Sequence, residues 1–306
     1  MHYITEEEVD RNLSVKDVIE ELRNAFLSYG SGRSKSSPRD RIFGDGMVLN
    51  TMPALYADRH MAGLKTYIAG KGGARFVVLV FDTDSMELMA VIEANRLGQV
   101  RTGALPAMFT REAITWKPKV FTVIGSGFQA ETQLTAMCSV FQFEEVRVYS
   151  RHPENARKFA ERMSKVTGLG IEPFSDVHRA LRDTDIVNSI TDSNEAIFSR
   201  GDLPDRYIVN LAGGNLPNRR EAAPDVLEGS ELIVVEHLEQ ALLESGEVID
   251  YVRKHGRERL IELKDFMVKP EAYRKDRVVF KSMGIGLEDL AAAYVLLRKM
   301  GVTGDS

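Results

Sequence analysis

Residues 120–137, VFTVIGSGFQAETQLTAM, form an apolar run that leads through a Gly-x-Gly-x-x-Ala turn into a helix-like stretch. Gly125 permits a tight turn after a strand, and Gly127 lets the backbone approach a pyrophosphate. Ala130 is small enough for close helix–strand packing, and the N–H groups at a helix N-terminus suit phosphate oxygens. The alternative is an ordinary strand-to-helix turn built from small residues. The setting favours a dinucleotide site.

Short apolar runs alternate with helix-like stretches on both sides of this turn. The pattern predicts strands at 120–124, 146–149, 186–190, 208–211 and 232–235, and helices at 128–141 and 153–166. Such alternation is typical of a parallel sheet with helices on both faces. The fold class predicted for this region is therefore α/β, with a Rossmann-type doubly wound parallel sheet.

The segments outside this region have a different pattern. Ser14-Val15-Lys16-Asp17 is a weak capping box, which predicts a helix ending near Gly30. Residues 33–41 suggest a basic loop, 48–97 are strand-like, and 96–110 are helix-like. A last helix is expected at 286–299, packed back on the first domain.

The composition excludes several classes of protein. The chain has 306 residues, 43% of them hydrophobic, and a formal net charge of −5, so a basic stripe for nucleic acid is not expected. Its apolar runs are strand-sized, which predicts no membrane span. One cysteine, Cys138, cannot form an intramolecular disulfide, and six scattered histidines give no metal-ligand spacing. The polar, acidic start does not resemble a signal peptide, so a cytoplasmic protein is expected.

The end of the second Rossmann strand bears on the choice of cofactor. Sites that select NAD usually carry an acidic residue there, which accepts from the ribose hydroxyls. This chain has Ser150-Arg151-His152 instead. A hydroxyl and a guanidinium suit a 2′-phosphate, so NADP(H) is favoured over NAD(H). The alternative is that Arg151 is a solvated surface charge.

Six stretches together resemble the ornithine cyclodeaminase/μ-crystallin family, in order over nearly the whole chain. They are MPALY (52–56), GLKTY (63–67), LGQVRTGA (97–104), VIGSGFQAETQ (123–133), NLAGGNLPNRRE (210–221) and VFKSMGIGLEDLAAA (279–293). The family includes ornithine cyclodeaminase, an alanine dehydrogenase and ketimine reductases. The resemblance implies a dinucleotide-binding domain at 119–282. It also implies a discontinuous α+β substrate-binding and dimerisation domain at 1–118 and 283–306, and a homodimer.

The resemblance also implies residues for the substrate. Arg39, Lys65 and Arg101 match residues that converge on the substrate carboxylate, and Lys65 is a catalytic candidate. Arg41 is the alternative to Arg39. Three cations around one carboxylate would position a small α-amino or α-imino acid for hydride transfer. Selectivity for the substrate side chain would depend on pocket residues that include Asn50, Met52 and Met283.

A second set of matches concerns the cofactor. Arg101 and Thr102 match residues near the cofactor, Gly125, Gly127, Phe128 and Gln129 form the pyrophosphate turn, and Ser150 and Arg151 match the adenosine ribose. Further matches are Thr191, Asn210, Leu211, Ala212, Arg219 and Ser282. For Thr191 and Ser282 the alternative is a hydroxyl that stabilises its own turn.

Asn215 departs from the cyclodeaminase pattern, which has an acid–base aspartate at this position. An amide has no accessible pKa near neutrality and cannot exchange a proton in that way, although it can hydrogen-bond. The alternative is that Asn215 only caps a turn. The leading hypothesis is therefore a nicotinamide-dependent imine reductase or amino-acid dehydrogenase. Ornithine cyclodeaminase, a lyase that releases ammonia, and a non-catalytic NADP(H)-binding protein are the alternatives.

Overall fold

The structure is a computed structural model that describes residues 1–303. The chain divides into two compact units: residues 1–104 with the C-terminal segment from Gly284, and Leu105–Met283. The boundary at 104/105 lies inside a helix, fourteen residues before the boundary expected from the sequence at 118/119. The other boundary lies one residue after the expected 282/283.

The first unit is built on a mixed sheet. Its elements are, in chain order, β1 (His2–Ile4), α1 (Glu6–Asn12), α2 (Val15–Gly30), β2 (Lys35–Ser36), β3 (Asp40–Gly44), β4 (Met47–Tyr56), β5 (Met61–Gly70), β6 (Gly73–Asp82), β7 (Leu88–Glu93) and the start of α3 (Asn95–Ala113). Within the described residues the strand order is β1-β7-β6-β5-β4-β2, and β3 also pairs with β4. The β1–β7 pair is parallel and the other pairs are antiparallel.

The second unit is built on a parallel sheet. Its elements are β8 (Val120–Ile124), α4 (Phe128–Val140), β9 (Glu145–Tyr149), α5 (Pro153–Thr167), β10 (Ile171–Phe174), α6 (Val177–Leu181), β11 (Ile186–Ser189), β12 (Tyr207–Leu211), α7 (Pro224–Glu228), β13 (Leu232–Val235), α8 (Leu238–Glu244), α9 (Gly246–His255), β14 (Leu260–Glu262), α10 (Leu263–Val268) and β15 (Arg277–Lys281). In the part of the chain that the structure describes, the order is β10-β9-β8-β11-β12-β15-β13-β14, with parallel pairs. The predicted fold class, a Rossmann-type sheet plus a discontinuous α+β unit, is confirmed.

The last helix, α11 (Gly286–Lys299), belongs to the first unit, as predicted. It packs against α2, β4 and β5, and every residue from Gly286 to Leu297 is buried. Glycine allows this close approach, because a Cβ on Gly286 would lie 2.3 Å from the backbone oxygen of Met52. The segment that begins with Gly284 is thereby fixed on the sheet of the first unit.

One prediction for the N-terminal region is wrong, and one helix was not predicted. The segment predicted as a loop at 33–41 contains β2 and the start of β3, whose backbones pair with β4 as edge strands. An edge strand forms through backbone pairing and does not need an alternating apolar pattern, so the basic sequence gave no sign of β2 and β3. The polar start contains α1, whose N-terminus has a capping box between Thr5 and Glu8.

Candidate active site and dinucleotide turn

Gly125 begins the turn after β8 in a conformation that only glycine adopts easily. Its φ is +116°, and a Cβ at this position would lie 2.5 Å from the backbone oxygen of Ile190. Its N–H donates to the Tyr149 carbonyl at 2.8 Å, which links the turn to the end of β9. Ala130 is fully buried one turn into α4, as the packing of helix on strand requires.

The N-terminus of α4 has the features of a phosphate cradle. Gly127 is the N-cap residue and has no side-chain cap, so the helix begins without an intramolecular acceptor from its cap. No atom lies within 4 Å of the place where a Cβ on Gly127 would stand. Gln129 Oε1 is buried and has no hydrogen-bond partner within residues 1–303. Open space beside first-turn N–H groups fits a pyrophosphate.

The end of the turn that is predicted to contact the adenosine ribose is polar, with Ser126 and Ser150 half-buried and Arg151 exposed. Ser126 Oγ donates to Ser150 Oγ at 3.0 Å, so the two turns after β8 and β9 are joined. Arg151 is exposed and makes no hydrogen bond or ion pair with the other described residues. A guanidinium that no carboxylate neutralises can receive an additional phosphate.

A buried carboxylate organises the carboxyl ends of β11 and β12. Glu221 is fully buried, and its Oε1 accepts from Ser189 Oγ at 2.7 Å and from the Thr191 N–H at 2.8 Å. Its Oε2 accepts from the Gly213 N–H at 2.7 Å. Glu221 lies in the motif at 210–221, but no role was predicted for it from the sequence. The backbone N–H groups of a glycine-rich loop need acceptors, and this need could have pointed to the carboxylate of Glu221.

The remaining cofactor candidates lie around this edge with different roles. The buried Asn210 side chain donates to Thr110 Oγ1 at 3.1 Å and to Asn188 Oδ1 at 2.7 Å, so it serves the interior of the unit. Ser282 Oγ donates to Glu236 Oε1 at 2.7 Å. The other candidates are buried or half-buried: Thr102 on α3, Leu211 at the end of β12, and Ala212, Asn215 and Arg219 in the loop that follows β12.

The three cations expected at the substrate carboxylate come together in the first unit. Lys65 on β5, Arg101 on α3 and Arg39 just before β3 are all more than nine-tenths buried. Lys65 Nζ lies 3.2 Å from Asp289 Oδ1, and Arg101 Nε donates to the same oxygen at 3.0 Å. Arg39 donates to the Gly284 carbonyl at 3.3 Å. Three cationic side chains can be buried this close together only if negatively charged groups lie beside them.

These counter-charges, Glu288 and Asp289, were missed by sequence reasoning. Both are fully buried in the first turn of α11, and Glu288 Oε2 accepts from Arg101 Nη1 at 2.7 Å. Acidic residues in a first helical turn are common because they suit the helix dipole, so their position alone did not distinguish them. The need to neutralise three clustered cations was the signal that could have found them.

Two glycines clear space for the cationic side chains. A Cβ on Gly284, whose φ is +82°, would lie 2.3 Å from Arg101 Nη1. A Cβ on Gly98, inside α3, would lie 3.3 Å from Lys65 Nζ. Glycine inside a helix costs about 1 kcal/mol relative to alanine, so its use at position 98 reflects the space that the ammonium occupies.

Burial and neighbouring charge both alter the proton affinity of Lys65. Burial, as the largest cause, lowers the pKa of Lys65 to about 8, and the positive charges of Arg101 and Arg39 also lower it. Asp289 opposes them, because its negative charge and its hydrogen bond stabilise the ammonium. The lysine is therefore mainly charged at neutral pH but can release its proton easily.

Pocket candidates near this cluster have distinct positions. Arg41 Nε donates to the Oδ1 of buried Asn50 at 3.2 Å, whereas Arg39 lies beside Gly284 with the cluster. This arrangement favours Arg39 over Arg41 as the third cation. Met52 is buried opposite Lys65 in the β4–β5 pair, and Met283 is buried at the end of the second unit.

Among residues 1–303, no group of three or more His, Cys, Asp or Glu side chains could hold a metal ion. No helix of the described chain is long and apolar enough to cross a membrane.

The chain is similar to several known proteins over most of its length. Residues 2–301 match the model of the ornithine cyclodeaminase/mu-crystallin family. The ketimine reductase mu-crystallin of Rattus norvegicus is 33% identical over 72% of this chain and 67% of its own length. A Δ1-pyrroline-2-carboxylate reductase of Bacillus cereus is 27% identical over 81% of this chain and 80% of its own. The Thermococcus litoralis Δ1-pyrroline-2-carboxylate reductase, solved with NADH and L-proline, is 27% identical, with a TM-score of 0.90 over 100% of both chains.

The open space beside Gly127 generates a test. Gly127→Ala should leave thermal stability unchanged, because the new methyl group meets no protein atom. It should weaken NADPH and NADH binding at least about tenfold, or about 1.4 kcal/mol, because the methyl group fills the cradle. Fluorescence titration of the reduced dinucleotide measures this. Gly170→Ala, at another glycine with open surroundings, is the control and should change neither property. Unaltered binding by Gly127→Ala would mean that the dinucleotide lies elsewhere.

Proposed function

Since the chain belongs to the ornithine cyclodeaminase/mu-crystallin family, we propose that it is a nicotinamide-dependent oxidoreductase that reduces an imine bearing a small α-carboxylate. The reverse reaction would oxidise the matching amino acid. The observation that carries this proposal is the buried cluster of Arg39, Lys65 and Arg101 in a chain that also contains a dinucleotide turn.

The charges of the cluster support an anionic substrate. Three cations face the two carboxylates of Glu288 and Asp289, which leaves one positive charge within a buried environment. A substrate with one carboxylate would neutralise it. Lys65 has one ammonium N–H engaged by Asp289 and two that can donate to a substrate oxygen. Charge-assisted hydrogen bonds of this kind are short and directional, so they would orient the α-carbon.

The residues of the second unit fit a nicotinamide dinucleotide. Gly125 and Gly127 would hold the pyrophosphate, and Ser150 and Arg151 would contact the adenosine ribose. Six further residues would contact the nicotinamide half of the dinucleotide, several of them through their backbone. They are Thr191, Asn210, Leu211, Ala212, Arg219 and Ser282. When bound, the reduced nicotinamide supplies the hydride that imine reduction requires.

Residue 215 favours reduction over cyclodeamination. Ornithine cyclodeamination needs an acid–base group at the substrate nitrogen, and the amide of Asn215 cannot take or give a proton there. Imine reduction places a smaller demand on that position, because an amide can still form a hydrogen bond with the substrate nitrogen. A role as a dinucleotide-binding protein without turnover is the further alternative, and the assays below distinguish it.

Cofactor preference is the first test. NADPH should bind more tightly than NADH, because Ser150 and the exposed Arg151 can contact the 2′-phosphate. Arg151→Ala should weaken NADPH binding about tenfold and leave NADH binding nearly unchanged, since a charge-assisted hydrogen bond contributes about 1.5–3 kcal/mol. Arg157→Ala, which removes another exposed arginine, is the matched control. Equal wild-type affinities for NADPH and NADH would contradict the preference.

The reaction class is the second test. The wild type should oxidise NADPH with an imino acid and release negligible ammonia from ornithine. Asn215→Asp should gain a modest ammonia-releasing activity, below the roughly hundredfold to ten-thousandfold effect of a tuned acid–base group. Lys65→Ala should abolish every activity, whereas Lys71→Ala, in an exposed turn, should not.

Both reactions are measured side by side, as NADPH absorbance and as ammonia release. Robust ammonia release by the wild type would make the chain a lyase. Dinucleotide binding without turnover on a broad imine and amino-acid panel would make it a binding protein.

A homodimer is also part of the proposal. Ile42, Phe43, Met47, Leu49 and Ile68 on β3, β4 and β5 are exposed. Phe43 and Met47 also line a groove of about 570 Å³, together with Gly44, Gly46, Val48, Ala69 and Gly70. Exposed apolar surface of this extent usually marks a contact with another protein. A second copy of the chain is the occupant that the family membership favours.

The dimer has its own test. Wild-type protein should have a dimeric mass by light scattering at micromolar concentration. The double variant Phe43→Glu/Met47→Glu should be monomeric, because it buries two charges in the proposed contact. Val166→Glu, at an exposed apolar residue of α5 in the second unit, should remain dimeric. A monomeric wild type would refute this part of the proposal.

A further inference from the structure

Asp289 differs from an ordinary structural ion-pair partner. Its Oδ1 accepts from both Lys65 and Arg101, at 3.2 and 3.0 Å, while its Oδ2 is buried and has no hydrogen-bond partner within the described chain. Buried polar atoms without partners are rare in native structures, so this oxygen needs a physical explanation, and a role in catalysis is one of the recognised ones. Asp289 is also the one hydrogen-bond acceptor of Lys65 among residues 1–303.

We propose that Asp289 is the positioning residue for proton transfer: it holds the Lys65 ammonium so that Lys65, rather than residue 215, protonates the imine nitrogen. This inference rests on the proposed imine reduction. It gives the chain a proton donor for the step in which the amide of Asn215 cannot serve.

The proton balance of the reaction requires such a donor. The C=N double bond becomes a C–N single bond, because the imine carbon gains a hydride from the reduced nicotinamide, which is thereby oxidised. The nitrogen gains a proton from the Lys65 ammonium, and solvent then returns a proton to the neutral amine. Each turnover consumes one reduced dinucleotide and one proton.

The groups that face Lys65 come from several elements. Asp289 on α11 is negative, whereas Arg101 on α3 and Arg39 before β3 are positive. The rings of Tyr67 and Phe76 lie 5.9 and 5.3 Å from Nζ. Only Asp289 among these supplies a negative charge, so its removal leaves two like charges and burial acting on the ammonium.

The pH dependence follows with a definite sign. The ammonium form of Lys65 is the active one, so kcat should fall as pH rises through a pKa near 8. Asp289→Asn removes the charge that raises this pKa, so the alkaline limb should move to lower pH. An opposite charge at this distance typically shifts a pKa by about 1–3 units, so a limb about one pH unit lower is expected.

The experiment measures kcat and KM against pH for wild type, Asp289→Asn, Asp289→Glu and Glu288→Gln, with NADPH and Δ1-pyrroline-2-carboxylate. Asp289→Asn should move the alkaline limb of the kcat profile to lower pH. Asp289→Glu keeps the charge and should keep the limb near its wild-type position. Glu288→Gln removes the neighbouring carboxylate, which contacts Arg101 and not Lys65, so it should raise KM without moving the limb.

Three outcomes would overturn the inference. They are an unmoved kcat limb in Asp289→Asn, an equal movement in Glu288→Gln, and a limb that appears in KM alone, which would leave Lys65 with its proposed role as a carboxylate anchor and no role as a proton donor. NMR titration of ¹³Cε-lysine protein, with the Lys65 signal assigned by Lys65→Arg, measures the Asp289–Lys65 coupling without substrate. If the wild type reduces no imine, the proposed function fails, while the titration still reports whether Asp289 controls the lysine.

Discussion

Three buried cations impose the strictest constraint on the first unit. Lys65, Arg101 and Arg39 must lose most of their hydration, and the carboxylates of α11 offset that cost for Lys65 and Arg101. Removing one partner from a buried ion pair typically costs about 3–5 kcal/mol. Helix α11 must therefore bring Glu288 and Asp289 to the sheet, although it is separated from β5 by more than two hundred residues. The discontinuous first unit follows from this requirement.

The second unit also depends on a buried carboxylate, but there the partners of the carboxylate are backbone N–H groups and not cations. The loop after β12 and the turn after β11 present backbone N–H groups that no neighbouring strand satisfies. Glu221 accepts from both segments and so fixes the distance between them. Gly213 is equally constrained, since its Cβ would lie 2.0 Å from the Thr191 oxygen. A carboxylate without a substrate contact thus shapes the edge where the nicotinamide half would bind.

Sequence reasoning succeeded where the signal was local. The apolar run at 120–124 predicted β8 correctly, and Gly125 predicted the tight turn that follows it. Both features are visible locally, because a buried strand needs consecutive apolar residues and a positive φ favours glycine. The cations at 39, 65 and 101 were found through family resemblance. Their partners on α11 were not found, because nothing near Asp289 in the chain reports its contact with Lys65. The edge strand β3 was likewise missed, since its pairing depends on β4 and not on its own pattern.

The glycine at position 284 limits how this chain can diversify. The Arg101 guanidinium fills the volume that a Cβ would need, and the positive φ disfavours any other residue. The charged cluster can therefore tolerate little sequence drift, and Met52 shares this limit because its sulfur accepts from Arg39 Nε at 3.5 Å. Asn50 on β4 contacts Arg41 instead, so relatives with altered substrate ranges are expected to differ there while keeping the same anion-binding pattern. The constrained cluster would bind the carboxylate that all substrates share, whereas a less constrained residue on β4 would contact the substrate side chain. New specificities could then evolve by few substitutions.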